Sequence, residues 1–132
     1  MGDVENLARE AIDCGIALHK RLGPGLFESV YEALLTQALS RRGFRVERQK
    51  AIGFEYDGII LPEAFRADLL IEGQLLIELK SVEQNLPLHA KQLLTYLRLM
   101  DLQLGLVMNF GQETFKGGLR RVVNNHCAFP SP

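Results

Sequence analysis

The chain has 132 residues, which is the size of one ordinary domain. Apolar residues make up 47% of it, enough to form a hydrophobic core and to exclude wholesale disorder. Its 15 basic and 16 acidic side chains leave a net charge of −1. A face that binds nucleic acid would therefore have to be local, with acids elsewhere offsetting it.

The cysteines and the first residues bear on the compartment. Cys14 and Cys127 form no CxxC pair and have no His at zinc-ligand spacing, which predicts two reduced thiols. The opening MGDVENLARE is polar and acidic where a targeting segment would be basic and then apolar. No apolar run approaches the ~20 residues that span a bilayer. We therefore expect a cytoplasmic protein with no membrane partner.

The first half of the chain predicts two helices and then a change to extended structure. Residues 5–23 have apolar side chains at helical spacing and end at a Gly-Pro-Gly segment. Residues 26–43 form a second helix, which ends at Gly43 in the position of a C-terminal glycine cap. Its predicted apolar stripe comprises Phe27, Val30, Leu34, Leu35, Ala38 and Leu39. Residues 44–58 read as a strand, with an irregularity near Gln49 and a turn at Asp57-Gly58.

The second half predicts two more strands, a helix and a buried strand. The strands cover residues 65–73 and 75–82, and Pro87 stands near the start of a helix over residues 88–101. Residues 104–111 are nearly all apolar, as in a buried strand, and residues 117–125 favour an edge strand before a loose tail. The order α, α, β, β, β, α, β predicts a single α/β domain over residues 1–132, with helices on a mixed sheet.

One predicted hairpin carries charges where a core is expected. The segment RADLLIEGQLLIELKSV places Asp68, Glu78 and Lys80 among apolar residues. A three-residue loop with a positive φ at Gly73 would pair residues 71 and 75, and would set Asp68 opposite Glu78. Carboxylates opposite each other, with Cβ atoms roughly 5 Å apart, repel, and a divalent cation between them would reverse that repulsion. Lys80, on the same face as Glu78, could then orient a water. The alternative is a structural ion pair between Lys80 and one of the acids.

Two further patterns place polar residues on helix faces. In Gly25-x-x-Glu28-x-x-Tyr31, the acid and the tyrosine are neighbours on one face, although an acid is also favourable in a first turn. In the later helix, His89, Gln92 and Tyr96 share a face, with a polar margin on a Leu-rich helix as the alternative. His89 is a candidate general base or substrate contact, and a lone His of this kind is more often structural.

With these residues assembled, the chain resembles the GxxExxY protein family, within the PD-(D/E)XK nuclease-like superfamily. The matching motifs are GLFESVY at 25–31, Asp68 with ELK at 78–80, QLLTY at 92–96 and MNFG at 108–111. The resemblance covers about residues 5–123. The sequence departs from the pattern at Ala67, where the superfamily motif has proline.

The resemblance implies a restriction-endonuclease-like core in α-βββ-α-β order, with an extra N-terminal helix. It implies that Asp68, Glu78 and Lys80 are catalytic, and that a Mg²⁺ ion (with Mn²⁺ as a substitute) is held by a defined set of ligands. These ligands are the side chains of Glu28, Asp68 and Glu78 and the main-chain carbonyl of Leu79. Lys80 would position or activate the attacking water. The substrate-binding or supporting residues would be Gln92, Tyr96, Tyr31 and His89.

The chemistry of these residues agrees with that implication. One or two Mg²⁺ ions held by carboxylates can supply a nucleophilic water and neutralise phosphate charge, so that no covalent nucleophile is needed. We therefore expect a Mg²⁺-dependent nuclease, with DNA as the expected nucleic acid and a homodimer as a variant that places two sites on two strands. The alternative is a non-catalytic nucleic-acid-binding or regulatory module. Its phosphate-tracking face would comprise Lys20, Arg21, Arg41, Arg42, Arg45, Arg48, Lys50, Arg120 and Arg121.

Overall fold

The computed structural model describes residues 3–125. The helices and strands are α1 (Val4–Leu22), α2 (Glu28–Arg41), β1 (Val46–Tyr56), β2 (Ile59–Ile71), β3 (Leu75–Lys80), α3 (Pro87–Met100), β4 (Leu104–Asn109), α4 (Phe115–Gly118) and β5 (Leu119–Val123). The predicted order is confirmed, with one addition. The single-turn helix α4, capped by the Thr114 hydroxyl, lies between the last two strands.

The five strands form one mixed sheet in the order β1-β2-β3-β4-β5. β3 and β4 are parallel, and the other neighbouring pairs are antiparallel. The parallel pair is connected through α3, the crossover helix that such a pair requires. The predicted α/β class with helices flanking a mixed sheet is therefore confirmed.

Helices cover both faces of this sheet. One core cluster joins α1 and α2 to side chains such as Ile77 and Leu79 of β3. A second cluster joins α3 to Leu76 of the same strand. Alternate residues of β3 thus enter two different cores, as the apolar residues on both of its faces predict. Any charged side chain on β3 is consequently drawn out of water, and Glu78 is only 7% exposed.

The hairpin between β2 and β3 has the predicted register. Ile71 pairs with Leu75 and Leu69 pairs with Ile77, which sets Asp68 and Glu78 at the next opposed position. Gly73 has a φ of 65°, and Glu72 before it also has a positive φ of 52°. The turn chemistry therefore fixes which carboxylates face each other.

The hairpin between β1 and β2 is longer than the sequence predicts. Its turn falls at Asp57-Gly58 as expected, but β2 begins at Ile59 rather than at residue 65. Pro62 stands within this added segment, and proline argues against a strand except at an edge, which is where this segment lies. The result is a two-stranded arm that carries exposed apolar residues.

The apolar stripe predicted for α2 is partly wrong. Phe27 is 81% exposed and Val30 is also exposed, whereas Tyr31, Leu35 and Leu39 are fully buried. The buried residues recur every four positions, because Tyr31 is anchored in the core and sets the rotation of the helix. At the other end Gly43, with a φ of 92°, follows the helix as predicted, and Phe44 N donates to Leu39 O at 3.2 Å.

Two further predictions concern membrane-spanning helices and the cysteines. Between residues 3 and 125, no helix combines the length and the apolar character needed to cross a bilayer. Cys14 is buried in the core, and burial raises the pKa of its thiol. Cys127 and the predicted loose tail lie outside the described residues.

Candidate active site

The side chains of Asp68 and Glu78 each accept a main-chain hydrogen bond from the strand that carries the other. Oε2 of Glu78 accepts a hydrogen bond from Asp68 N at 2.9 Å, and Oδ2 of Asp68 accepts one from Leu79 N at 2.8 Å. Side-chain oxygens thus take the place of main-chain acceptors where the regular β2–β3 ladder ends. The two carboxylates are held in fixed, opposed positions.

The two carboxylates have unusual protonation equilibria. Burial, followed by the nearby charge of Asp68, raises the pKa of Glu78 to about 8. Burial also raises the pKa of Asp68, although the hydrogen bonds from Leu79 and Gln49 oppose that rise. Both effects mean that a second negative charge is unfavourable here without a cation. Such perturbed acids in a cleft are typical of functional sites.

Lys80 follows this pair on the same strand and is half-buried. Its charge acts on both carboxylates: burial raises the pKa of Asp68 and of Glu78, and the ammonium group of Lys80 partly opposes each rise. Among residues 3–125, however, its ammonium group forms no ion pair with any carboxylate. The structural ion pair considered from the sequence is therefore not observed, and the ammonium group is available to a ligand.

A cavity of about 390 Å³ connects the hairpin with α2. It is lined by Glu28, Ser29, Glu32, Gln49 and Asp68. Glu28 is exposed and also raises the pKa of Glu78, so that its charge acts on the pair from the α2 side. The structure thus places two of the predicted acids, Glu28 and Asp68, at one cavity, and Glu78 is joined to Asp68 by a hydrogen bond.

Glu32 and Gln49 belong to this region and were not identified from the sequence. Glu32 is 8% exposed and accepts hydrogen bonds from Arg48 Nε at 3.1 Å and from Gln49 Nε2 at 2.6 Å. Gln49 Nε2 also donates to Asp68 Oδ1 at 3.1 Å. Gln49 has a φ of 48°, at the irregularity predicted in β1. With the backbone in this conformation, its side-chain amide lies between Glu32 and Asp68. The sequence signal that could have identified Glu32 is its position one helical turn after Glu28, on the same helix face.

The predicted residues of α3 lie on the same side as Glu78. Tyr96 stacks on Phe65 with ring centroids 3.8 Å apart, and burial, then Glu78 and Asp68, raise the pKa of its hydroxyl. A hydrogen bond from the Gln92 side chain opposes that rise. Burial and the charge of Lys80 lower the pKa of His89. The three side chains therefore border the charged cluster, as their shared helix face predicts.

Tyr31 has a different position from the one expected of a substrate contact. It is fully buried and stacks on Phe110 with centroids 4.2 Å apart. Its hydroxyl donates to Gly23 O at 2.6 Å and accepts from Leu26 N at 3.2 Å. A substrate at the surface could not reach it, and its position instead secures the loop that precedes Glu28.

Hydrogen bonds to the side chain of Asn109 hold the end of β3 against the end of β4. Oδ1 of Asn109 accepts from Val82 N and from Gly111 N, each at 3.0 Å. Phe110 N donates to Lys80 O at 2.8 Å. A Cβ atom on Gly111 would clash with the main chain of Val82. These contacts explain the predicted MNFG segment as a structural support beneath Lys80.

The donor set suits a hard divalent cation. Mg²⁺ favours one or two carboxylates, with water and substrate phosphate oxygens completing its octahedron. Asp68 and Glu78 supply opposed carboxylates, and burial raises the pKa of both, so that an ionised pair would be favoured by a nearby cation. No three His, Cys, Asp or Glu side chains among residues 3–125 meet as a complete metal cage.

Four of the nine basic residues considered as a phosphate-tracking face form ion pairs with carboxylates. Arg42 pairs with Glu10 at 2.6 Å, and Lys50 pairs with Glu47 at 2.8 Å. Arg48 pairs with Glu32, and Arg121 pairs with Glu5. The other five form no ion pair among residues 3–125, so that the face keeps part of its positive charge.

Comparison with known protein families identifies a superfamily. The model of the PD-(D/E)XK nuclease superfamily matches residues 5–122, nearly the whole described chain. The chain therefore belongs to the PD-(D/E)XK nuclease superfamily. No curated protein and no solved structure matched it.

Proposed function

We propose that this chain is a Mg²⁺-dependent nuclease that hydrolyses phosphodiester bonds in DNA, and that it belongs to the GxxExxY group of its superfamily. Membership of the superfamily supports a nuclease that acts on nucleic acid with a divalent metal. The observation that carries the proposal is the opposed Asp68–Glu78 pair, whose pKa values are raised, beside the unpaired ammonium group of Lys80. The GLFESVY segment at 25–31 supports the finer grouping.

The residues of this chain divide the work as follows. Asp68, Glu78 and the Leu79 carbonyl would hold the metal, with Glu28 on the opposite wall as a further acidic ligand. Bound there, Mg²⁺ would neutralise phosphate charge and lower the pKa of a bound water. Lys80 would donate a hydrogen bond to the attacking water or to the developing negative charge.

The face of α3 would complete the substrate side of the site. Tyr96 and Gln92 are neighbours on one helix face beside the acids, where they can donate to a phosphate oxygen. His89 borders Lys80, and its lowered pKa favours a neutral imidazole at neutral pH. A neutral imidazole can accept a proton or donate a hydrogen bond to the substrate.

We also propose that the active protein is a homodimer formed through the β1–β2 arm. Cross-strand pairs Phe54–Leu61 and Tyr56–Ile59 place four apolar side chains on one face of this arm. Ile59 is 61% exposed. The acidic turn residue Asp57, next to this face, disfavours a phosphate backbone as the partner, and a face of this kind can pack on its own copy about a two-fold axis.

The nuclease proposal is tested by incubating linear, branched and single-stranded DNA and RNA with Mg²⁺, Mn²⁺ or EDTA. Glu78→Gln keeps an acceptor for Asp68 N but removes the charge, and Lys80→Ala removes the ammonium group. Glu113→Ala and Lys116→Ala, at exposed positions, are the charge-matched controls. We expect metal-dependent cutting by the wild type and both controls, and none by the two site variants. Cutting that survives in folded Glu78→Gln would overturn the proposal.

A further inference from the structure

Phe27 is the most exposed large apolar side chain among residues 3–125, at 81%. It immediately precedes Glu28 and the first turn of α2. Leu26 and Val30 beside it are also partly exposed. Phe27 therefore makes little contribution to the core, and its ring faces solvent next to a proposed metal ligand.

Phe27 is also a poor residue for its place in the helix. It occupies the N-cap of α2, where no side chain accepts a hydrogen bond from the first turn. Ser, Thr, Asp or Asn at an N-cap would supply that acceptor and stabilise the helix. Neither packing nor capping accounts for a phenylalanine here.

The main chain around Phe27 is held rigidly. The Tyr31 hydroxyl binds Leu26 N and Gly23 O from the core side. The Ser81 hydroxyl donates to Leu26 O at 2.5 Å, and Ser81 directly follows Lys80 in the chain. The position of the Phe27 backbone is thus fixed relative to the strand that carries Glu78 and Lys80.

Phe27 lines a cavity next to the acidic one. This cavity, of about 500 Å³, is lined by Gly25, Leu26, Phe27, Glu28, Ser29 and Ser81. Glu28 and Ser29 also line the cavity that contains Asp68. The two cavities are therefore adjacent, and Asp68 lines one of them while Phe27 lines the other.

We propose that Phe27 is a stacking platform for an unpaired nucleobase next to the phosphate that is cut. Every base presents a π-face, and an aromatic side chain can bind it without reading its sequence. Bases inside a duplex are already stacked on both sides, so that only a single-stranded, flapped or extruded nucleotide can reach this ring. The substrate class is therefore nucleic acid with unpaired nucleotides at the cutting site. This inference rests on the proposed nuclease function.

The test measures binding separately from cleavage. The full chain, with Ca²⁺ as the metal, is titrated into an oligonucleotide that carries the fluorescent base 2-aminopurine, either single-stranded or paired in a duplex. The variants are Phe27→Asn, which removes the ring and supplies a cap, and Phe27→Trp, which keeps an aromatic face. Ile60→Asn, at a site 70% exposed on the β1–β2 arm, is the matched control.

We expect Phe27→Asn to weaken single-strand binding roughly tenfold and to abolish quenching of the 2-aminopurine, with duplex binding unchanged. Phe27→Trp and Ile60→Asn should bind like the wild type. The unfolding midpoint of Phe27→Asn should equal or exceed that of the wild type, which excludes misfolding. Single-strand binding by Phe27→Asn at the wild-type level, or an equal loss on the duplex, would overturn the inference.

Cleavage of the same strands with Mg²⁺ distinguishes the two proposals. Cleavage that is lost in Glu78→Gln but unchanged in Phe27→Asn would refute the stacking role of Phe27 and would still support the nuclease. Binding that depends on Phe27, without any cutting, would support the platform and count against the nuclease.

Discussion

The carboxylates of Asp68 and Glu78 are locked by reciprocal hydrogen bonds across one hairpin. Glu78 Oε2 accepts from Asp68 N at 2.9 Å, and Asp68 Oδ2 accepts from Leu79 N at 2.8 Å. Neither group can turn away from the other without leaving a main-chain N–H unsatisfied. Their mutual repulsion is therefore built into the fold, and it is relieved by a proton or by a cation.

Without metal, the free energy of unfolding should fall as the pH rises from about 4.5 to about 8. The pKa of Glu78 is about 8 in the folded protein, raised by burial and then by Asp68 from a reference value of 4.5. Between these values the folded state holds a proton that the unfolded state has released, so that stability is greatest at the acidic end. Urea denaturation in EDTA at several pH values measures this slope. Glu78→Gln should show a clearly shallower slope, and equal slopes in the two proteins would contradict the prediction.

Mg²⁺ or Mn²⁺ should raise the unfolding midpoint, and more strongly as the pH approaches 8. The metal binds the ionised carboxylates, so that binding below pH 8 must displace the proton held at Glu78. Calorimetric titration in buffers of different ionisation enthalpy reports the protons released. Glu78→Gln should release fewer protons and bind weakly, whereas Glu113→Ala should match the wild type. Release that is identical in Glu78→Gln would show that the metal binds elsewhere.

Gln49→Ala should weaken metal binding by about 10–100-fold, the usual cost of losing a group that orients a ligand. Gln49 Nε2 donates to both Glu32 Oε1 and Asp68 Oδ1, at 2.6 Å and 3.1 Å, and separates two like charges. Calorimetry with Mn²⁺ measures the affinity, and the unfolding midpoint reports the fold. Gln37→Ala, at an exposed position of α2, serves as the control. Metal affinity unchanged in Gln49→Ala would remove Gln49 from the site.

Tyr31→Phe should lower the free energy of unfolding by about 1–3 kcal/mol, because Gly23 O and Leu26 N each lose a partner. The ring can still stack on Phe110, so that the core itself is kept. Denaturant titration gives the difference. Tyr56→Phe, which removes a hydroxyl from an exposed side chain, should leave the stability unchanged. Equal stability of the wild type and Tyr31→Phe would show that the loop does not depend on this hydroxyl.

Ile59→Asp should convert the proposed homodimer to a monomer, because it places a charge in the apolar face of the β1–β2 arm. Ile60→Asp adds the same charge to the opposite face of the same strand and should leave the dimer intact. Sedimentation velocity over a range of concentrations measures the state of each protein. A wild type that is monomeric throughout, or an equal effect of both substitutions, would refute this interface.

Local chemistry made part of this structure predictable. The Gly73 turn sets the opposition of Asp68 and Glu78, and Pro87 marks the start of α3, because both residues restrict the backbone at their own positions. The face shared by Gln92 and Tyr96 follows from helical spacing alone. Each of these features depends on residues that are close in the sequence.

Features that depend on packing between distant segments were not predictable. The burial of Glu32 follows from the rotation of α2, which the buried Tyr31 ring fixes against Phe110. The role of Gln49 requires its positive φ together with the approach of α2 to β2. At the start of β2, Ile59, Ile60 and Leu61 pair with β1, and the first six residues of the strand are all exposed, so that no burial pattern marks them as a strand.

The hydrogen bonds around Asn109 have a consequence for the interpretation of mutational scans. Asn109 holds Val82 and Gly111 together, and no side chain larger than hydrogen fits at Gly111. Substitutions at either residue would displace the end of β3 and with it Lys80. A scan scored by activity alone would therefore rank both residues with the acids, although neither carries a charge. Only a parallel scan of abundance would separate the scaffold from the chemistry.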